Sequence, residues 1–304
     1  MNANSNVLIT GTSGFVGFNL SKYLAERGFI IEPLSLRKKN WKSLISDNPD
    51  FYIHLAGKAH DLKNTSDEQA YFDINTELTK NLFAAFQESK AKTFIYFSSV
   101  KAVADEVKDI LTEYVDPDPK TAYGKSKLAA EQFLLSQDLI GKKIIIIRPC
   151  MIHGPGNKGN LNLLYQFVNK GIPYPLAAFH NSRSFLGIEN LCFMIEKILK
   201  AADIPSGIYN LADDGSLSTN QLIRIIAGAI GKRSRLWSIP VSIMKGLAKL
   251  GDILKLPLNS DRLQKLTENY VVCNTKIKSA LNIDKMPVPI EDGLRKTIAS
   301  FSDK

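Results

Sequence analysis

Gly11, Gly14 and Gly17 stand at three-residue spacing between a short apolar run, Val7–Thr10, and an apolar-periodic stretch, Phe18–Arg27. In that stretch apolar residues fall near i, i+3, i+6 and i+7, the pattern of an amphipathic helix, and Gly28 marks its end. A strand that passes through closely spaced glycines straight into a helix leaves few folds open. Further apolar runs at Ile30–Leu36, Phe51–Ala56, Thr93–Ser98 and Lys143–Arg148 alternate with helical stretches over Asp67–Ser89 and Tyr123–Gln137. Strands alternating with helices of this length predict a parallel sheet covered on both faces.

The alternation breaks at His153-Gly154-Pro155-Gly156, beyond which helical runs mix with turns. Ser218–Gln221 reads as a capping box that opens a helix. The predicted fold class is α/β, a Rossmann-type doubly wound parallel sheet with a smaller C-terminal α/β substrate lobe. Residues 1–153 and about 184–204 are assigned to the dinucleotide-binding domain, and 154–183 with 205–304 to the lobe.

Composition narrows the function classes. Of 304 residues, 44% are apolar and 23% charged, which excludes a disordered chain. No uncharged apolar run approaches the roughly 18 residues of a membrane-spanning helix. Met1–Asn6 lacks the basic and apolar regions of a secretory signal. Cys150, Cys192 and Cys273 are scattered, without metal-ligand spacing, and read as reduced thiols of a cytoplasmic protein. The formal net charge of +9 leaves nucleic acid, an anionic membrane surface or phosphorylated small molecules as partners.

Glycines at this spacing allow a tight turn, close backbone approach to a pyrophosphate, and close packing of helix on strand. The helix N-terminus then offers free N–H groups to the anion. Gly11, Thr12, Ser13, Gly14, Phe15, Val16 and Gly17 are therefore predicted to hold a dinucleotide. An acid at the tip of the second strand would favour NAD, and an arginine would accommodate a 2′-phosphate. The segment Leu34–Lys39 has no acid there. Ser35 and Arg37 are the predicted 2′-phosphate contacts, against a solvated basic turn; NADP(H) is expected, with NAD(H) as the alternative.

Tyr123 and Lys127 lie four residues apart, on one face of a helix. An ammonium near a phenol favours the phenolate and lowers a pKa that starts near about 10. A tyrosine so tuned exchanges protons with a hydroxyl or carbonyl oxygen. Phe97–Ser99 closes a strand at the carboxyl edge of the sheet, where ligands bind in such folds.

Together these motifs resemble the extended short-chain dehydrogenases/reductases of the nucleotide-sugar epimerase/dehydratase family, over essentially the whole chain. His54–Gly57 matches the loop after the family's cofactor-side strand, Asn75 its helix asparagine and Ser98–Ser99 its serine strand. Arg148–Pro149 through Gly154–Gly156 matches the strand and loop beside the nicotinamide. The resemblance implies that Tyr123 is the general acid/base, that Lys127 orients the ribose and tunes Tyr123, and that Ser99 bonds the substrate oxygen. Leu55, Ala56, Gly57, Asn75 and Pro149 become implied cofactor contacts.

Departures from the family pattern are informative. Val100-Lys101 follows Ser99 where 4,6-dehydratases carry Thr-Asp-Glu, so the carboxylates for water loss are missing. His153 stands where the family usually has tyrosine, and reads as packing or bonding near the cofactor; His54 reads as structural. Neither has a second ligand at metal spacing, and no metal is expected. Ala56–Asp61, Ser98–Lys101, Gly159–Leu161 and Asn181–Ser184 resemble bacterial reductases that act on UDP-4-keto-6-deoxy-N-acetylhexosamines for surface polysaccharides.

That likeness implies NADPH-dependent reduction of a C4 keto group, with Ser99, Lys101, Asn160 and Arg183 at the UDP-sugar. An NAD-dependent UDP-sugar 4-epimerase and a non-catalytic cofactor-binding protein are the alternatives. Relatives pair through the helices over Asp67–Ser89 and Tyr123–Gln137, which implies a homodimer. Basic residues are dispersed and carry no nucleic-acid signature, so nucleic acid is not expected as a partner. Between Lys232 and Lys255, however, six basic residues (232, 233, 235, 245, 249 and 255) accompany a single acid, Asp252. Ile243–Lys255 reads as an amphipathic helix that either packs its Leu/Ile face on the core or lies on an anionic membrane surface.

Overall fold

The structure, a computed structural model, describes residues 5–46, 49–58, 67–157, 160–201, 203–255 and 259–302, the side chains of Asn160 and Ser302 excepted. Its central sheet has six strands: β1 (Asn6–Thr10), β2 (Ile30–Leu34), β3 (Phe51–His54), β4 (Thr93–Phe97), β5 (Lys143–Pro149) and β6 (Gly207–Leu211). They lie in the order β2-β1-β3-β4-β5-β6, and each neighbouring pair is parallel. The chain winds outward in both directions from β1, so the switch point lies between β1 and β3, where ligands bind beyond the carboxyl ends.

Alternate residues of each strand serve opposite faces, as the pleat requires. Val7, Ile9, Ile53, Ile95, Ile145 and Ile147 pack with Leu20 and Leu24 of α1 (Phe15–Ala25). Leu8, Tyr52, Phe94, Tyr96, Ile144 and Ile146 pack instead with helices on the other face. Those helices are α3 (Leu78–Glu88) and α4 (Ala122–Leu135); α2 (Glu68–Phe72) packs on α4, and a π-helical turn, Asp73–Glu77, joins α2 to α3. After α5 (Asn160–Asn169), α6 (Ile188–Lys200) joins α1 on the first face through Leu191 and Ile195.

A separate apolar cluster builds the smaller lobe. It draws on α5, α7 (Thr219–Ala229), α8 (Val241–Leu254), α9 (Ser260–Thr267) and α11 (Ile290–Ser302), while α10 (Thr275–Ala280) packs beside β6. The Ser218 side chain accepts from Gln221 N at 3.1 Å, and Ser218 N donates to Gln221 Oε1 at 2.8 Å, a capping box that starts α7.

One boundary differs from the sequence-based expectation. β6 falls inside 205–304, the stretch assigned to the lobe, yet it completes the main sheet beside β5. Its five residues, Gly-Ile-Tyr-Asn-Leu, form a short run bounded by Pro205-Ser206, and pairing with Ile145–Pro149 fixes them as the edge of the main sheet.

Candidate active site

The glycine turn packs without spare room. Gly11 adopts φ of 76°, and a Cβ there would sit 2.7 Å from Ala56 N. A Cβ on Gly17 would lie 2.2 Å from Gly11 O, so α1 starts flush against β1. Gly14 N donates to Gly11 O at 3.0 Å, and Gly14 caps α1 with no side-chain bond. Ser13 and Gly14 are exposed, Thr12 is half-buried, and Phe15 and Val16 lean on the core. A helix N-terminus that no side chain caps leaves amides for an anion. This cradle fits a dinucleotide pyrophosphate.

Behind it runs a hydrogen-bond relay. Thr79 Oγ1 donates to Asn75 O at 2.7 Å, which uses its only proton. His54 Nε2, 3.0 Å from Thr79 Oγ1, is therefore the donor there. Nδ1 is then the acceptor and takes the Thr10 hydroxyl proton at 2.7 Å, while Thr10 Oγ1 accepts from Ala56 N at 3.1 Å. Burial pushes the His54 pKa down to about 3, which keeps the ring neutral and the relay in one direction. The structural role expected of His54 is the one it occupies. Leu55, Ala56 and Gly57 leave this relay as a loop held at both ends. Asn75 fixes the far end: its Oδ1 accepts from Lys58 N at 2.8 Å, and its Nδ2 donates to Ser126 Oγ at 3.0 Å.

Ser126 belongs to α4, and through it the loop connects to Tyr123 and Lys127. A Cβ on Gly124 would lie 2.4 Å from Lys101 O, so only glycine lets α4 approach the turn that begins at Ser99. Tyr123 and Ser99 are thereby brought together, and hydrogen bonding with Ser99 lowers the Tyr123 pKa. Burial outweighs that bond and holds the phenol above its ordinary value. The predicted lowering by Lys127 is thus corrected: dehydration decides the direction. Lys127 is itself buried, donating from Nζ to Phe97 O at 2.8 Å and lying 4.9 Å from the Tyr96 ring centroid. Loss of water pulls its pKa down to about 8, against the upward pull of Glu131. The arrangement presents a protonated phenol beside a hydroxyl, with an ammonium close to its neutral form one turn further along the same helix.

Other predicted residues fall around this centre. Pro149 ends β5 buried, and Ser35 and Arg37 are exposed in the turn after β2. Lys101 donates to Asp105 O at 2.7 Å and packs 4.5 Å from the Tyr270 ring centroid. Arg183 pairs with Glu268 at 2.9 Å, near enough to Lys101 for their charges to interact. The side chain of Asn160 lies outside the described residues, as do Ala59, His60, Asp61 and Gly159 of the reductase-like stretches. His153 is buried away from this cluster, its Nδ1 2.9 Å from Thr297 Oγ1 and its Nε2 3.7 Å from Asp213 Oδ2. Sequence reasoning passed over Ser126, although it lies inside the Tyr123–Lys127 motif, and Glu131, one helical turn beyond Lys127. It also passed over Thr10, Thr79 and Glu268, which carry no local signal.

A model of the NAD dependent epimerase/dehydratase family matches residues 7–212. The chain belongs to this family. Across 97% of its length it is 30% identical to a UDP-glucose 4-epimerase of Vibrio cholerae, covering 95% of that protein. It is 28% identical, over the same shares, to an N-acetyl-alpha-D-glucosaminyl-diphospho-ditrans,octacis-undecaprenol 4-epimerase of Escherichia coli O157:H7. A UDP-2-acetamido-2,6-beta-L-arabino-hexul-4-ose reductase of Pseudomonas aeruginosa is 36% identical over 51% of the chain and 38% of its own length. Among solved structures, RMD from Pseudomonas aeruginosa complexed with NADPH superposes with a TM-score of 0.78 at 21% identity, covering 99% of this chain and all of that one. The family's pyridine-nucleotide-binding fold is therefore this chain's fold, and its members include both epimerases and reductases of sugar nucleotides.

Proposed function

We propose that the chain uses NADPH to reduce the C4 keto group of a nucleotide-linked (UDP) 4-keto-6-deoxyhexosamine, a step in making surface-polysaccharide sugars. Arg37 carries this choice: it is exposed after a second strand that ends without an acid, as a 2′-phosphate requires. NADPH is the usual dissociable reductant, whereas an epimerase retains NAD. Gly11–Gly17, Leu55–Gly57, Asn75 and Pro149 would hold the dinucleotide, with Ser35 and Arg37 at its 2′-phosphate. When bound, it supplies the hydride to the sugar carbon.

The chain's own residues do the rest. Ser99 Oγ bonds the keto oxygen, and Tyr123 Oη passes its proton to that oxygen as negative charge develops there. The raised Tyr123 pKa suits this direction, because the phenol must begin protonated. Lys127 holds the ribose and, while charged, stabilises the phenolate left behind. Arg183 takes the diphosphate, with Lys101 and Asn160 beside it. The same proposal includes a homodimer paired through α3 and α4, working in the cytoplasm.

A second reading rests on the full-length likeness to the Vibrio cholerae UDP-glucose 4-epimerase. There the same tyrosine would first remove a proton and later return it. Mass spectrometry of the product separates the two. With NADPH and a panel of UDP-4-keto sugars, the product should gain two hydrogens as NADPH is consumed. Interconversion of UDP-hexosamine epimers by the purified protein without added reductant would overturn the reductase proposal.

A further inference from the structure

Helix α8 carries two apolar stripes and buries one of them. Met244, Ala248 and Gly251 form the stripe that packs on the smaller lobe. Ile243, Leu247, Leu250 and Leu254 precede those positions or repeat their spacing, which sets them about 100° around the axis. They remain 53%, 48%, 47% and 57% exposed. The expectation that the Leu/Ile face packs on the core is therefore corrected: the small residues take the core side, and the large aliphatic residues stay outside. Ile253 on the same helix, Trp237 before it and Leu266 on the adjoining α9 are exposed too.

Basic residues flank this patch in sequence at both ends, and Lys249 borders it on one side, about 40° around the axis from Ile253. Lys255 ends the helix, Lys232, Arg233 and Arg235 precede it, and Lys245 lies on the side of the axis away from the stripe. Among the described residues, no ion pair engages any of these six. Lys232 and Arg235 instead bond the carbonyls of Asn169 and Gly171. The single acid of the segment, Asp252, is held by Ser260 N at 2.9 Å and Ser260 Oγ at 2.6 Å.

A partner for this surface must be apolar within and negative at its boundary. We propose that α8 is a peripheral docking helix that lies on an anionic lipid bilayer, with its outer stripe in the acyl boundary and its basic residues among the headgroups. From Ile243 to Leu254 the stripe runs for about 16 Å, long enough to lie along a surface and too short to cross it. No helix of the described residues is long and apolar enough to span a membrane. The inference stands apart from the choice between reductase and epimerase. It bears on substrate delivery, because α9, against which α8 packs, leads directly into Glu268, the partner of Arg183.

Co-sedimentation of the full chain with vesicles tests it. Binding to vesicles of phosphatidylcholine with one-third phosphatidylglycerol should exceed binding to phosphatidylcholine alone by about tenfold, and should fall as salt screens the charges. Leu247→Glu/Leu250→Glu should abolish binding, and Lys249→Glu/Lys255→Glu should remove the preference for the anionic vesicles. Both variants alter exposed positions and should keep the wild-type far-UV dichroism and melting temperature. Failure of the wild-type chain to bind anionic vesicles overturns the proposal. So does light scattering in which the leucine variant splits an oligomer while vesicle binding is unchanged, since a second copy would then cover the stripe.

Discussion

Arg148 grips Glu131 where neither side chain exposes more than 2% of its surface: Nε lies 3.0 and 3.1 Å from the two carboxylate oxygens, and Nη2 lies 2.5 Å from one of them. The pair ties β5 to α4 one turn beyond Lys127. Removing one member leaves the other charge buried without its counter-ion, at a cost of about 3–5 kcal/mol. Glu131→Gln should lower unfolding stability in urea by an amount of this order. It should also take the Lys127 pKa below about 8, because the Glu131 carboxylate is what holds it up. The alkaline limb of the turnover profile then moves to lower pH, a shift that mere loss of stability does not produce.

Tyr123→Phe removes the proton that the phenol would deliver but leaves the ring and its packing. Turnover should drop by roughly 10²–10⁴, the usual worth of a positioned acid, while cofactor titration stays near wild type. In the wild-type enzyme, turnover should decline as pH rises through about 8, where Lys127 loses its charge. Tyr123, raised above its ordinary range, is still protonated there. Undiminished turnover in the phenylalanine variant would remove Tyr123 from the acid role.

His54 makes the fold acid-sensitive. Its pKa falls from 6.5 to about 3 on burial, so between those values the unfolded chain binds a proton that the folded chain refuses. Stability is complete above the unfolded value and is lost as pH falls from about 6.5 towards 3, by on the order of 5 kcal/mol in total. Protonation would also give Nδ1 a hydrogen facing the hydroxyl of Thr10, which now donates to it. His54→Gln should flatten this part of the urea-midpoint profile against pH. An unchanged slope would assign the acid loss to other groups.

The sheet and the glycine turn were legible because both depend on local pattern: uninterrupted apolar runs, a break at each loop, and glycines where a Cβ would strike backbone. Tyr123 and Lys127 were legible for the same reason, since helical spacing alone puts them on one face. What pattern could not reveal was long-range or solvent-dependent. The relay from Thr10 through His54 to Thr79 joins residues 44 and 25 positions apart. The edge strand Gly207–Leu211 exists because β5 offers it a ladder. The direction of the Tyr123 shift turned on how much water the fold removes, which spacing does not encode. Apolar periodicity in α8 was visible, but which of its two stripes would be covered depended on the lobe it meets.

Arg37 is exposed in a turn whose backbone is closed by a bond from Lys38 N to Ser35 O. If it binds the 2′-phosphate, Arg37→Asp should raise the KM for NADPH by about 10- to 100-fold, the worth of one charge-assisted contact replaced by repulsion. The KM for NADH should change little. Equal changes for the two cofactors would remove the 2′-phosphate assignment and favour an enzyme that keeps NAD.

Arg183 and Glu268 supply the last test, because the guanidinium proposed for the substrate diphosphate already has a carboxylate at 2.9 Å. The pair is partly open to water, 29% and 12% exposed, so its own contribution to stability is small. Burial raises the Glu268 pKa while Arg183 and Lys101 lower it, which marks the three as one electrostatic unit. A diphosphate must compete with that carboxylate for the arginine. Glu268→Gln removes the competitor's charge while keeping its shape, so the KM for the sugar nucleotide should fall several-fold with kcat nearly unchanged. Arg183→Ala should raise the same KM by about tenfold or more, the signature of lost ground-state binding. If neither substitution moves KM, the diphosphate sits elsewhere, and Arg183 serves only to hold α9 against the lobe.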